Sequence, residues 1–166
     1  MSDSALHPKV VEVLHRLDVK YKVLECDPDF ADTAVFCKQY GYLEEAAANA
    51  IIVASRHDPV VYACCSVLAT TKLDVNRKVK EIMDVRKVSF ASADKTLELT
   101  GMMIGGVTPF ALPEIPYYID AKVMEQTEVI IGGGNRSSKL VVEPAELLKI
   151  PGARVIEGLA VAKVPV

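Results

Sequence analysis

Apolar residues at Val10, Val13, Leu14 and Leu17 follow Pro8 with the spacing of one helical face, and proline suits a first helical turn. The period then changes. YKVLE, residues 21–25, alternates as a half-buried strand does, and Asp29 or Asp32 offers a cap for a second helix that Gly41 ends. AIIVAS and VVYACCSV are β-rich runs separated by the turn RHDP. Asp74 is expected to cap a third helix reaching Met83, with Val75, Val79, Ile82 and Met83 on one side. VSFA predicts a short strand, and Ser92 caps a helix that stops at Gly101. Beyond it come the strand YYID, a short helix after Asp120, the strands EVIIGG and KLVV, a last helix opened by Pro144 and closed by Pro151-Gly152, and the strand ARVIE.

Short helices and short strands are mixed without steady strand–helix alternation. That pattern predicts an α+β fold with a mixed, strongly curved sheet. No repeat, low-complexity tract or linker divides the 166 residues, so a single domain over 1–166 is expected.

Composition narrows the function classes. Hydrophobic residues make up 51% and charged residues 25%, the balance of a globular chain. The formal net charge of −3 gives no global attraction to nucleic acid, so a polyanion would have to be held by a local patch. No apolar run reaches the roughly 18 residues of a membrane span. MSDSALHPK has no basic stretch followed by an apolar one, and a cytoplasmic location is expected. Cys26, Cys37, Cys64 and Cys65 lack the spacing of a zinc site and read as reduced thiols. His7, His15 and His57 have no partner at metal-ligand spacing.

Two glycine segments carry the candidate chemistry. GGVTP (105–109) lies in the stretch 101–113, which is free of charge, and GGGNRSSK (132–139) lies between two expected strands. Glycine lets a backbone approach a ligand closely, and consecutive N–H groups can cradle a phosphate or carboxylate oxygen. Arg136 would add a fork-shaped cation. On composition alone, GGGN reads equally as a hairpin turn, Arg136 as a solvated charge and GGVTP as a plain turn. Neither segment has the spacing of a P-loop or of GxGxxG before a helix, which argues against a nucleotide-triphosphate site.

Taken together, TGMMIGGVTPF, a following strand that ends in Ile119-Asp120, and VIIGGGNRSSKLVVEPAELLKI resemble the YbaK/ProX family, relatives of the editing domain of bacterial prolyl-tRNA synthetases. The resemblance runs from about Pro8 to Ile156. It implies a barrel-like mixed sheet with flanking helices. It also implies hydrolysis, in trans, of the ester of a mischarged tRNA carrying a small amino acid, with neither metal nor organic cofactor. The partner so implied is the aminoacylated 3′ end of a tRNA, with an aminoacyl-tRNA synthetase as a further candidate. Carried onto this chain, the resemblance makes Asn49 and Gly105 the expected catalytic positions. Gly106, Val107, Thr108, Pro109, Gly132, Gly133, Gly134 and Arg136 are expected to bind substrate.

The family normally begins the second strand with a lysine, where this chain has Asn49. Asparagine cannot act as a base, although it can orient water or donate to a carbonyl. Arg136, Lys139 or Lys72 could take over phosphate binding. The alternative is a protein that binds aminoacyl-tRNA or an amino acid without hydrolysis.

Two further expectations concern RNA. Between residues 72 and 87 there are six cations, Lys72, Arg77, Lys78, Lys80, Arg86 and Lys87, against Asp74, Glu81 and Asp84. This is either a patch for a few phosphates or the solvated face of a helix. Phe30, Phe36, Tyr40 and Tyr42 surround the second helix, either as core or as a stacking face for a terminal adenine.

Overall fold

The computed structural model describes residues 3–163. The α+β expectation holds: a mixed five-stranded sheet, an antiparallel three-stranded sheet and a short ribbon are flanked by short helices. Helix α1 (Pro8–Arg16) starts with His7 as its cap, whose Nδ1 accepts from Lys9 N at 3.1 Å. Strand β1 (Lys22–Glu25) leads to α2 (Thr33–Tyr40), which ends at Gly41 in the left-handed region. The central hairpin is β2 (Ala48–Ser55) against β3 (Tyr62–Leu68), followed by β4 (Thr71–Leu73).

The expected helix from Asp74 to Met83 is instead a wide turn, Val75–Val79, that passes into the single-turn α3 (Lys80–Met83). Asp74 does not cap it, because its carboxylate pairs with Arg77 Nε at 3.1 Å. The wide turn, closed by Val79 N donating to Asp74 O, buries both Val75 and Val79. Strand β5 (Val88–Phe90) and α4 (Ala93–Thr100) follow, and Ser92 caps α4 through Lys95 N as expected. Then come β6 (Tyr117–Asp120), β7 (Val129–Gly132), β8 (Ser138–Val142), β9 (Ala153–Ile156) and β10 (Ala160–Ala162). The helices expected after Asp120 and Pro144 are 3-10 turns, Val123–Glu125 and Pro144–Lys149.

The larger sheet runs β5-β2-β3-β6-β9, with β3, β6 and β9 parallel, and the smaller runs β1-β8-β7. Val10, Leu14, Ile52, Tyr117, Phe110 and Leu140 lie in the principal core. Val53, Cys65, Val67, Val79 and Leu159 form a second core on the other side of the large sheet.

The relation between β2 and its neighbours makes a cavity possible. β5 pairs with β2 only from Val53 to Ser55, leaving the first half of that edge unpaired by β5. The bridge Ala47↔Ile130 joins that end of β2 to β7. The two sheets touch there and part along Asn49–Ile52.

Candidate active site

A cavity of about 450 Å³ fills the gap. The first half of β2 lines it on one side, Ile130 to Gly132 on another, and the first turn of α2 with Ile104, Gly105 and Val107 cover its end. Most of the wall is apolar, including Ala48, Ala50, Ile52, Phe90 and Val107. The polar side chains on the wall are Asn49, Thr33, Asp32, Thr96 and Lys139.

Asn49 is held by α2. Thr33 Oγ1 donates to Asn49 Oδ1, which fixes the direction of the amide, while Nδ2 has no protein partner among the described residues. The side chain is therefore a fixed hydrogen-bond donor on the cavity wall.

Lys139 comes from the first half of β8, opposite Gly132, and only 4% of it is exposed. Its Nζ donates to Ala31 O at 2.6 Å and to Gly105 O at 2.7 Å, and stands 5.6 Å from the Phe36 ring centroid. An ammonium has three donors, so two carbonyls leave one N–H uncommitted. Burial holds this ammonium below the usual lysine range, and the charge of Arg136 adds to the effect.

The glycine segments pack on each other. Gly134 N donates to Gly106 O at 2.7 Å, a Cβ on Gly106 would lie 2.3 Å from Asn135 O, and one on Gly132 would lie 2.2 Å from Val107 O. Their glycines thus let two backbones meet, where any side chain would force them apart. Gly105 has φ +94° and lines the cavity.

Arg136 clamps this arrangement. Nη1 donates to Ile104 O at 2.8 Å and to Asp32 Oδ1 at 3.0 Å, while Nε and Nη2 both donate to Pro28 O. Three chain segments are tied to one guanidinium.

Of the residues singled out in the sequence, Asn49, Gly105, Val107 and Gly132 line the cavity. Gly106 lies behind it, Gly133 and Gly134 face Leu6, His7 and Val10 near α1, and Pro109 lines a groove on the far side. Thr108 is fully buried and Arg136 is engaged with protein oxygens. Lys72 is exposed on β4, outside the cavity lining. Phe36 is core and lines the cavity, with Tyr42 stacked on it at 5.5 Å and Tyr40 tilted at 4.9 Å. Thr33 was not singled out in the sequence, and Asp32 only as a helix cap, a role its side chain does not play because it accepts from Arg136; nothing near them shows that α2 will meet β2. Among the described residues, no group of three or more His, Cys, Asp or Glu could hold a metal ion.

The model of the aminoacyl-tRNA editing domain matches residues 27–150. That span contains α2, both glycine segments, Asn49 and Lys139. The chain belongs to the aminoacyl-tRNA editing domain family. This is the family to which GGVTPF and GGGNRSSK point.

Two solved structures agree with the editing-domain fold. The hypothetical protein APE2540 is 26% identical, with a TM-score of 0.81 over 92% of this chain and 99% of that one. A candidate trans-editing enzyme for prolyl tRNA synthetase is 23% identical, with a TM-score of 0.73 over 92% of this chain and 97% of its own. At that identity the second likeness speaks to the fold alone. Among the described residues of the editing domain, no helix is long and apolar enough to cross a membrane.

Proposed function

We propose that this chain is a trans-acting editing deacylase, which hydrolyses the ester between a small amino acid and the terminal ribose of a mischarged tRNA. The observation that carries this reading is the 450 Å³ cavity, which sets an apolar wall against Asn49, Gly105 and Lys139. The cavity suits a small side chain with a polar ester beside it. The packing of α1 and of β9 onto the 27–150 unit supports reading the chain as one editing domain. A cytoplasmic site of action follows from the substrate.

In the reaction, water attacks the ester carbonyl carbon, and the carbonyl oxygen takes negative charge. The bond to the ribose oxygen then breaks, and that oxygen receives a proton as the amino acid leaves as its acid. Asn49 Nδ2 is suited to donate to the developing oxyanion, since Thr33 already directs its oxygen away. A fixed donor of this kind contributes on the order of 3 kcal/mol to lowering the barrier. The Lys139 charge acts on the same oxyanion through a medium with little water, where Coulomb attraction is strong. Gly105 forms the wall without a side chain that would displace the ester. No protein base enters this scheme, because aminoacyl esters are labile and positioning does most of the work.

The test is release of amino acid from tRNAs charged with alanine, serine, threonine, cysteine or proline. Release above the spontaneous rate from one or more of them, lost in Asn49→Ala, is the expected result. A flat response from folded protein would overturn the enzymatic reading. Activity gained in Asn49→Lys alone would then mark the natural chain as a binding protein.

A further inference from the structure

The rim of the cavity continues along β5 into a second, basic feature. Arg56 and His57, at the end of β2, line a cleft of about 430 Å³ with Asp58, Arg86 and Lys87. Arg56 N donates to Lys87 O at 3.0 Å, so the β2–β5 ladder carries on one step past Ser55↔Val88 and holds these loops together. All four basic side chains are exposed. Arg56, Arg86 and Lys87 form no ion pair with a carboxylate among the described residues. In a chain of net charge −3, an open cleft with three unpaired permanent cations and one carboxylate is a local anion site.

Its position relative to the cavity indicates which anion. Phe90 is 54% exposed and lines the cavity, three residues after Lys87, which directly precedes β5. At strand rise this separation is about 10 Å. A polymer with its end in the cavity would therefore pass an exposed aromatic face and then a basic cleft. That order suits a single-stranded RNA end, with bases that stack and phosphates that follow.

We propose that this cleft receives the phosphodiester backbone of the RNA whose aminoacyl end occupies the cavity, and that Phe90 stacks on a base between the two. The assignment rests on the editing reading above. It adds a contact surface that a free amino acid or a small ester would not use.

The experiment is binding of unfractionated, uncharged tRNA by fluorescence anisotropy over a salt series. Arg86→Gln/Lys87→Gln is expected to weaken binding about tenfold at low salt and to flatten the log–log salt slope by on the order of 1. Phe90→Ser is expected to weaken binding severalfold with the slope unchanged. A control of equal charge loss, Lys9→Gln/Lys20→Gln near α1, is expected to change neither. No tRNA binding by the natural chain, an unchanged slope in the cleft variant, or an equal loss in the control would overturn the assignment.

Deacylation separates the two proposals. A raised KM with unchanged kcat in the cleft variant supports both. An unmoved KM in that variant, with hydrolysis intact, sinks the cleft and leaves the editing reading. Cleft-dependent tRNA binding without hydrolysis in the natural chain keeps the cleft and sinks the deacylase.

Discussion

The Lys139 ammonium donates to the Gly105 carbonyl at 2.7 Å, so the strand that follows one glycine segment holds the loop formed by the other. Its second bond, to Ala31 O, reaches the residue two before α2 and so ties in the end of the helix that orients Asn49. One buried cation thus connects three walls of the cavity.

Replacing Lys139 should therefore affect activity more than stability. Lys139→Met removes the cost of a buried charge but leaves two carbonyls without their donor. These effects oppose each other at about 1–3 kcal/mol each, so the change in unfolding free energy should be small. By contrast, kcat/KM for a sensitive mischarged tRNA should fall on the order of a hundredfold. Denaturant melts beside steady-state kinetics would check both, and a variant with full activity would remove Lys139 from the mechanism.

The same lysine gives a pH signature. Its pKa is lowered in the folded state, so over a window below the ordinary 10.5 the unfolded chain binds more protons than the native one. Stability rises with pH across that window. Below it both states are protonated, and the cost of burying the charge is fully present. Relative to Lys139→Met, the natural chain should gain stability from neutral to alkaline pH, as read from urea midpoints. A constant difference would show that Lys139 keeps an ordinary pKa.

Asp120 works in the opposite direction. It is 1% exposed, its Oδ1 accepts from Leu159 N and Ala160 N, and its Oδ2 has no hydrogen-bond partner among the described residues. Burial raises its pKa from the ordinary 3.8. In the window above 3.8 the native state holds the extra proton, so stability falls as pH rises through it. Asp120→Asn should remove this fall, which thermal melts over the acid range would measure. A natural chain whose acid-range stability matches that of Asp120→Asn at every pH would contradict it.

Glycine substitutions should sort by surroundings and not by dihedral angle alone. Gly105 and Gly152 both have positive φ, +94° and +78°. A Cβ at Gly105 would lie 2.2 Å from Arg136 Nη1 and 2.9 Å from Asp32 Oδ1, whereas at Gly152 nothing lies within 4 Å. Gly152→Ala should cost about 1–2 kcal/mol from backbone strain, with deacylation unchanged. Gly105→Ala should also break the Arg136 clamp and lower kcat/KM at least tenfold, about 1.4 kcal/mol in the barrier. Equal effects in both assays would mean that the clamp has no part in shaping the site.

Local rules predicted much of this molecule. Pro8, Gly41, Ser92 and Gly101 mark helix ends correctly, because capping and left-handed backbone depend on a few adjacent residues. The glycine segments were legible as unusual residues between β-rich runs, whereas Asn49 was singled out only through the family resemblance. The stretch after Asp74 was misread as one helix, because its apolar spacing hides the wide turn that buries Val75 and Val79.

The sequence by itself determined the α+β class, the family and the two loops that meet at the site. Tertiary structure alone decided that Lys139 lies inside and Arg136 is tied to protein oxygens. Both are cations beside the same glycines, and their composition is silent on the difference. The physical reason is the strand pairing. Lys139 sits opposite Gly132 in the β7–β8 ladder, which carries its ammonium into the gap between the sheets. Arg136, three residues earlier in the connecting turn, meets Pro28 and Asp32 only because the chain brings a segment more than 100 positions away against it.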